Sequence, residues 1–340
     1  MRYTLGFLHQ IRDFDPELSA YLHDGGSEKP FSLTGLNGKF TTHSQSLQLH
    51  ADETYRWRIN ILSKDVTLGI TTWLRHLPET ITLENVPLAI EFVQLAQPPT
   101  TYAKLLRQAK AQAEDSKVHR LSLSFTSPTS FRRKGHHLPL PWPTNVFHSY
   151  LRGWNHFAQK QIDQTNFLDW IDQHLIIQQH QIASRKVAAG KQGSVIGFTG
   201  AVTYTLDRKA TEQPEFVAMF YALGQLASYC GTGHKTTFGL GETHLGWQIE
   251  GEQGVEIAPT PIAQMALAER IEELSALFSS QKKRQGGDRA QYTADTWATI
   301  LARREVGDSL GAITQDMDLP YETAKTYSKL ARRALRQSNS

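Results

Sequence analysis

The sequence predicts an α+β chain: two successive modules of helices laid on antiparallel sheet, then an all-α C-terminal region. Three observations carry this. Apolar residues switch repeatedly between helical and alternating spacing over residues 1–250. Segments rich in Gly, Pro, Ser and Asp punctuate those stretches. Beyond residue 262 the spacing is helical alone.

Taken in order, Tyr3 to Phe14 carries Leu5, Leu8 and Ile11 at helical spacing. Pro16 opens a short turn before LSAYLHD, and DGGSEKP reads as a loop. Phe31–Leu36, Trp57–Leu62 and Ile81–Val93 are expected strands, with TLGITTWLRHL a helix between the last two. YAKLLRQAKAQA then reads as a basic linker helix, with Lys104, Arg107 and Lys110 on one face. They extend a positive track or form a solvated face.

In the second module, His119–Phe125, Leu175–Ala183, Val195–Leu206 and Thr243–Ile249 are expected strands, and Val146–Phe157 and Phe216–Tyr229 expected helices. That order is βαββαβ, a ferredoxin-like unit. The first module repeats it without the opening strand, which leaves a sheet edge that weakens the domain; a start assigned too late would account for it. The expected domains are therefore 1–115, 116–250 and, past a turn-rich linker at 251–262, 263–340. Within the last, MALAERIEELSALF is helical and SSQKKRQGGDR a polar break.

Bulk properties narrow the function classes. Hydrophobic content of 39% and charged content of 20% are ordinary for a globular protein. Mean hydropathy of −0.42 and the lack of a long apolar run argue against a membrane span. No secretion signal is visible at MRYTLGFLHQ. The single cysteine, Cys230, excludes an internal disulfide framework and a CxxC metal site, so the expected location is cytoplasmic. A net charge of +3 with 14 histidines permits a polyanionic partner without demanding one.

One motif stands out. CGTGHKTTFGLGET sets Gly231, Gly233, Gly239 and Gly241 around His234 and Lys235. Glycine permits close backbone approach and exposes N–H donors to phosphate, and Lys235 adds charge. A hairpin with small turn residues is the plainer reading. A Walker A loop and a dinucleotide fingerprint both fit poorly, because the stretch follows an apparent helix and precedes strand-like residues.

This glycine spacing, G-x-G-x5-G-x-G near the end of a second ferredoxin-like module, resembles that of the Cas-six endoribonucleases, which process precursor CRISPR RNA. Two further segments look like the same family: SFTSPTSFRRKGHHLPLPWPTNVFHSYLRGWN, opening the second module, and SAYLHDGGSEKPFSL, which corresponds to the segment carrying the catalytic histidine. The resemblance spans about residues 1–250.

The resemblance implies metal-independent cleavage of repeat RNA by attack of a ribose 2′-oxygen, leaving a 2′,3′-cyclic phosphate, with no cofactor and no metal. It assigns the catalytic histidine to His23, with Lys29 six residues on. An imidazole with a pKa near 6.5 suits acid or base work, and a lysine can stabilise the charged phosphorane. Some members complete the site with a tyrosine of the first helix; here that position is Leu8, which cannot donate a hydrogen bond, and His9 and Tyr3 are its neighbours. The implied RNA-binding residues are Gly231, Gly233, His234, Lys235, Gly239 and Gly241. The loop SFRRKGHH adds Arg132, Arg133 and Lys134, beside His136 and His137. Arg152 and Trp154 follow on the next helix, with Trp154 expected in the core.

The C-terminal region lies outside that resemblance. Asp308 is an expected N-cap for SLGAITQDM, DLP a turn, and TAKTYSKLARRALRQ a basic helix. The arrangement looks like a helix-turn-helix, similar to the promoter-reading region of sigma factors. Lys325, Lys329, Arg332, Arg333 and Arg336 make a candidate DNA contact, with RNA-stem or protein contact as the alternative. The expected partners are CRISPR repeat RNA in precursor crRNA, effector-complex subunits, and DNA through the tail. Two other readings fit part of the sequence. A catalytically inactive repeat-RNA-binding subunit of an effector complex dispenses with His23. A transcription regulator whose modules sense a ligand leaves the Gly231–Gly241 spacing unexplained.

Overall fold

A computed structural model describes residues 2–24, 28–43, 46–83, 86–188, 194–248, 262–280 and 288–338. The expected linker at 251–262, most of the break at 281–287, the loop residues 25–27 and the end of the strand expected to reach Ile249 lie wholly or largely outside them. The chain divides into two compact units. One comprises residues 1–37, 56–184 and 198–258, the other residues 38–55, 185–197 and 259–340.

The first unit contains the βαββαβ arrangement in full. Its strands are β7 (Arg120–Thr129), β10 (Leu175–Ala188), β11 (Ser194–Leu206) and β12 (Thr243–Leu245), the middle two running on into residues assigned to the second unit. They form one sheet in the order β10-β11-β7-β12, and β7 is antiparallel to both neighbours. Helices α5 (Pro143–Phe157) and α7 (Pro214–Cys230) cover it. α7 is almost wholly apolar, and Val217 to Leu223 is buried without interruption. Phe147 stacks on Phe220 at 5.3 Å, and Phe125 meets Phe198 at 4.9 Å, closing the core. Helix α6 (Gln164–His174) adds Phe167 and Trp170. The expected linker helix is α4 (Tyr102–Asp115), and it is more than a linker: Leu105 and Ala109 are buried in this core, and α4 packs along α7.

The first half of this unit departs from expectation. Helices α1 (Arg2–Phe14), α2 (Pro16–Asp24) and α3 (Lys64–Leu74) surround a short pair, β1 (Phe31–Leu33) with β4 (Ile59–Ile61). Phe7 is the hub, with Phe31 at 5.3 Å and Trp73 at 5.9 Å. Leu8 and Ile11 share that core, so Leu8 is a packing residue. The strand expected over Ile81–Val93 is instead a hairpin, β5 (Thr80–Leu83) with β6 (Val86–Ala89), and it joins no other strand among the described residues. The single ferredoxin-like sheet expected for the first module is therefore not formed among them. Alternation ran on through Leu83 and Val86, but Glu84-Asn85 between them has turn chemistry.

The second unit is mainly helical: α8 (Ile262–Ser280), α9 (Asp288–Glu305), α10 (Leu310–Met317) and α11 (Tyr321–Ser338), with the hairpin β2 (Phe40–His43) and β3 (Ser46–Leu49), which sequence reading missed. Ile271, Leu274 and Phe278 of α8 meet Ala294, Ala298 and Leu301 of α9, with Ala331 of α11. A second cluster joins Ile300, Ile313 and Ala324. The N-cap of α10 is Ser309, whose hydroxyl accepts from the Ala312 amide at 3.1 Å, and not the expected Asp308. Asp308 is taken by Arg303 at 2.6 Å, which also holds Asp316 at 2.8 Å.

Candidate active site

The glycine-rich segment starts where α7 ends. Gly231 is the C-cap of α7 at φ 69°, and Gly233, Gly239 and Gly241 also have positive φ. Only glycine adopts such torsions without strain. Space matters as well: a Cβ on Gly233 would lie 2.4 Å from the Ser130 carbonyl oxygen. The segment is sewn to its surroundings by backbone bonds. Thr232 N donates to Gly241 O at 2.8 Å, His234 N to Ser130 O at 2.8 Å, and Gly241 N to Pro128 O at 3.1 Å. Gly233 N donates to Ser149 Oγ on α5 at 2.7 Å. The amides of Gly231, Gly233 and Gly241 are thus satisfied internally, Gly231 by Ala227 O. These glycines shape the loop, and its side chains supply the charge.

The loop SFRRKGHH is a hairpin, β8 (Phe131–Arg133) with β9 (His136–Leu138), turned by Lys134 at φ 49° and Gly135 at φ 85°. Two successive positive φ values give the tight turn that matches strand twist. Cross-strand pairing sets Arg132 opposite His137 and Arg133 opposite His136. Successive residues alternate faces, so Arg132 and His137 share one face and Arg133 and His136 the other.

The Arg132 face belongs to a cluster of positive charge. Burial and then Arg132 bring the Lys235 ammonium down to about 8. Burial, followed by Lys235, Arg132, His137 and Arg152, pushes the His234 imidazole down to about 4. His137 is lowered by burial, Arg132 and Lys235. His234 Nε2 is buried with no hydrogen-bond partner. Lys235 sits in the left-handed region at φ 66°, with its Nζ 5.8 Å from the centroid of the Phe238 ring. The Arg132 and Lys235 cations, drawn together under partial burial beside the two imidazoles, form a ready site for an anion, which would relieve their mutual repulsion. Arg133 and Lys134, exposed at the hairpin tip, stand outside this cluster.

His23 lies in the last turn of α2 with its side chain 64% exposed. Its Nδ1 meets Asp24 Oδ1 at 2.5 Å. Lys29 Nζ donates to the His23 carbonyl at 2.5 Å, so the two predicted residues are together. Glu28, beside Lys29, pairs with Arg152 Nε at 3.4 Å. Arg152 is one of the charges acting on His234, so this ion pair joins the His23 segment to the positive cluster. Glu28 and Ser149 escaped sequence reading. The only signal was a polar stripe on α5, His148, Ser149 and Arg152, at one-turn spacing.

Beside the loop lies a small polar hollow lined by Ser32, Thr34, Arg58, Asn60, Thr236 and Glu242. Arg58 reaches Glu242 at 3.3 Å, and Thr34 bridges to Gly239, tying β1 to the loop. Burial drives the Cys230 thiol up to about 12, so it is no nucleophile at neutral pH. Trp154 is buried, its indole N–H donating to Lys160 O at 2.9 Å. Among the described residues no three His, Cys, Asp or Glu side chains are grouped to hold a metal, and no helix is long and apolar enough to cross a membrane.

Comparison with known proteins covers the glycine-rich loop and the second module. The family model for CRISPR-associated endoribonuclease Cas6 matches residues 123–243, from β7 through the glycine-rich loop into β12. The chain is 23% identical over 242 residues to a Streptococcus thermophilus CRISPR-associated endoribonuclease Cas6, covering 71% of this chain and 88% of that protein. Among solved structures, a Cas6 product complex is 25% identical, covers 72% of this chain and 92% of its own, and superposes with a TM-score of 0.55. A second Cas6 product complex, 21% identical over 72% of this chain and 93% of its own, shares the fold with a TM-score of 0.58. The four glycines, in the family's spacing, all lie within the stretch that the Cas6 family model matches, and the chain is similar to Cas6 endoribonucleases over about 70% of its length.

Proposed function

We propose that this chain processes CRISPR RNA by cutting repeat RNA within the precursor, without a metal ion, and leaves a 2′,3′-cyclic phosphate. In that reaction the ribose 2′-oxygen loses its proton and bonds to phosphorus. The bond from phosphorus to the 5′-oxygen breaks, and the departing oxygen takes a proton. His23 Nε2 serves one of these two transfers, with Asp24 on Nδ1 fixing the tautomer. Lys29 offsets the extra charge on the pentavalent phosphorus. Arg132, His234 and Lys235 bind the phosphates, within a loop shaped by Gly231, Gly233, Gly239 and Gly241. Arg133 and Lys134 reach the RNA from the hairpin tip.

The observation that carries this reading is the Glu28–Arg152 ion pair, which sets the His23 segment beside the cation cluster of the glycine-rich loop. One backbone phosphate in the cluster would bring the next linkage toward the histidine.

The test uses the purified full chain in EDTA with repeat RNA from its own locus. Cleavage to a cyclic phosphate is expected. His23→Ala should slow it by about 10²- to 10⁴-fold with RNA binding retained. Tight binding without cleavage by the unmutated chain would refute the nuclease and leave a repeat-RNA-binding subunit.

A further inference from the structure

We propose that the C-terminal helices form a duplex-DNA-binding domain, with α11 the helix that enters the major groove. The geometry comes first. α10 has 8 residues, a turn of Asp318-Leu319-Pro320 follows, and α11 begins at Tyr321. Asp318 takes the left-handed conformation at φ 52°, ψ 48°, and the Leu319 amide reaches back to Thr314 O at 3.1 Å, which turns the chain sharply. Two helices joined by a turn this short and packed on each other are the form that docks a helix in DNA.

The two helices are held through the inner face of α11, and on the outer face Lys325 pairs with Glu322 at 3.5 Å. Ile313 of α10, Ala324 of α11 and Ile300 of α9 are fully buried together. The small side chains of Ala324, Ser328 and Ala331 make the inner face of α11. Arg303, bonded to Asp308 and Asp316, fixes the start of α10 and its last turn. Lys325, Lys329, Arg332 and Arg333 take no part in that inner packing and are exposed. α11 carries five basic residues against the single acid Glu322.

Charge complementarity points to a nucleic-acid backbone, and shape selects the duplex. A helix about 10–12 Å across fits the B-DNA major groove, about 12 Å wide. The deep, narrow major groove of A-form RNA excludes one. Recognition helices read bases with their N-terminal residues. There α11 presents Tyr321, 53% exposed, with Glu322 and Lys325, whose side chains are 78% and 63% exposed. Glutamate accepts from cytosine N4 and lysine donates to guanine O6 and N7, so these two confer base preference. Lys329, Arg332 and Arg333, further along, meet phosphates.

The experiment takes the full chain through successive rounds of selection on 30-bp duplexes with a randomised centre. The enriched duplex, an unrelated DNA duplex and an RNA duplex of the enriched sequence are then titrated by fluorescence anisotropy at several salt concentrations. Enrichment of one sequence is expected. Lys325→Ala should cut the preference for it by about 5- to 150-fold. Lys329→Ala and Arg333→Ala should weaken both DNA duplexes alike and each lower the salt slope by about one. Circular dichroism and repeat-RNA cleavage by the same preparations should match the unmutated chain. Any of three results would overturn the proposal: no sequence enriched with both DNAs bound equally by chain and variants, affinity indifferent to all three substitutions, or tighter binding of the RNA duplex. RNA cleavage depends on the other unit, so failure here would leave the proposed nuclease standing.

Discussion

Replacing Gly241 with alanine should cost the first unit more than replacing Gly135, although both glycines are left-handed, at φ 73° and 85°. The torsional penalty is about 1–2 kcal/mol in each case. Their surroundings differ. Nothing lies within 4 Å of a Cβ added at Gly135. At Gly241 the new atom would sit 2.0 Å from the Thr232 carbonyl oxygen and 3.0 Å from its carbon. These are backbone atoms, so no rotamer change relieves the overlap, and the loop must open. Two hydrogen bonds are then exposed to loss, Thr232 N to Gly241 O and Gly241 N to Pro128 O. At about 0.5–1.5 kcal/mol net each, they add about 1–3 kcal/mol at Gly241 alone. Urea unfolding followed by tryptophan fluorescence would measure both variants, since Trp154 and Trp170 are buried in this unit. Gly241→Ala should be the less stable by about 1–3 kcal/mol. Equal destabilisation of the two would refute the argument, because it would mean the loop closes without the close approach of Gly241 to Thr232.

Two further outcomes follow from the charged groups. With Lys235 held near 8 by burial and Arg132, the free protein loses this positive charge as pH rises through that value. A bound phosphate favours the protonated form, so repeat-RNA affinity should fall by up to about tenfold per pH unit above it, and Lys235→Gln should flatten that limb of a binding titration. In the helical unit, Arg303→Ala would remove the guanidinium that Asp308 and Asp316, 12% and 7% exposed, share. A loss of about 3–5 kcal/mol is expected, read as a lower thermal midpoint with the first unit's transition unchanged.

What could be read in the sequence depended on length and locality. The long strands β7 and β11 alternate over enough residues to declare themselves, and α7 shows itself as a continuous apolar run. The glycine spacing was legible because torsion and close approach both exclude side chains there. β1 and β4, with three residues each, carry too short a pattern for register or sheet membership to be inferred. The hairpins β2–β3 and β5–β6 are local pairs whose strands blended into neighbouring segments. At the site, His23 and Lys29 entered through the family resemblance of their segment, and their contact is local. The Glu28–Arg152 pair and the Gly233–Ser149 bond were not visible, because they join residues far apart in sequence. The glycine amides were expected to face phosphate, yet three are bonded internally, which spacing alone cannot reveal. Asp308 and Ser309 both suit a helix N-cap, and the competing guanidinium of Arg303 decided between them.

The second unit is assembled from three separate stretches of chain, since residues 38–55 and 185–197 belong with 259–340 and β3 packs with α8. One cut in the polypeptide therefore cannot divide the protein into two intact halves. Removal of everything after residue 258 would strip the β2–β3 hairpin of its helical support. Such a truncated chain is expected to aggregate or be degraded before it reports on nuclease activity. Genetic separation of the two units calls for substitutions on the outer face of α11, and gene fusions or domain swaps at this boundary would have to carry the two inner segments along.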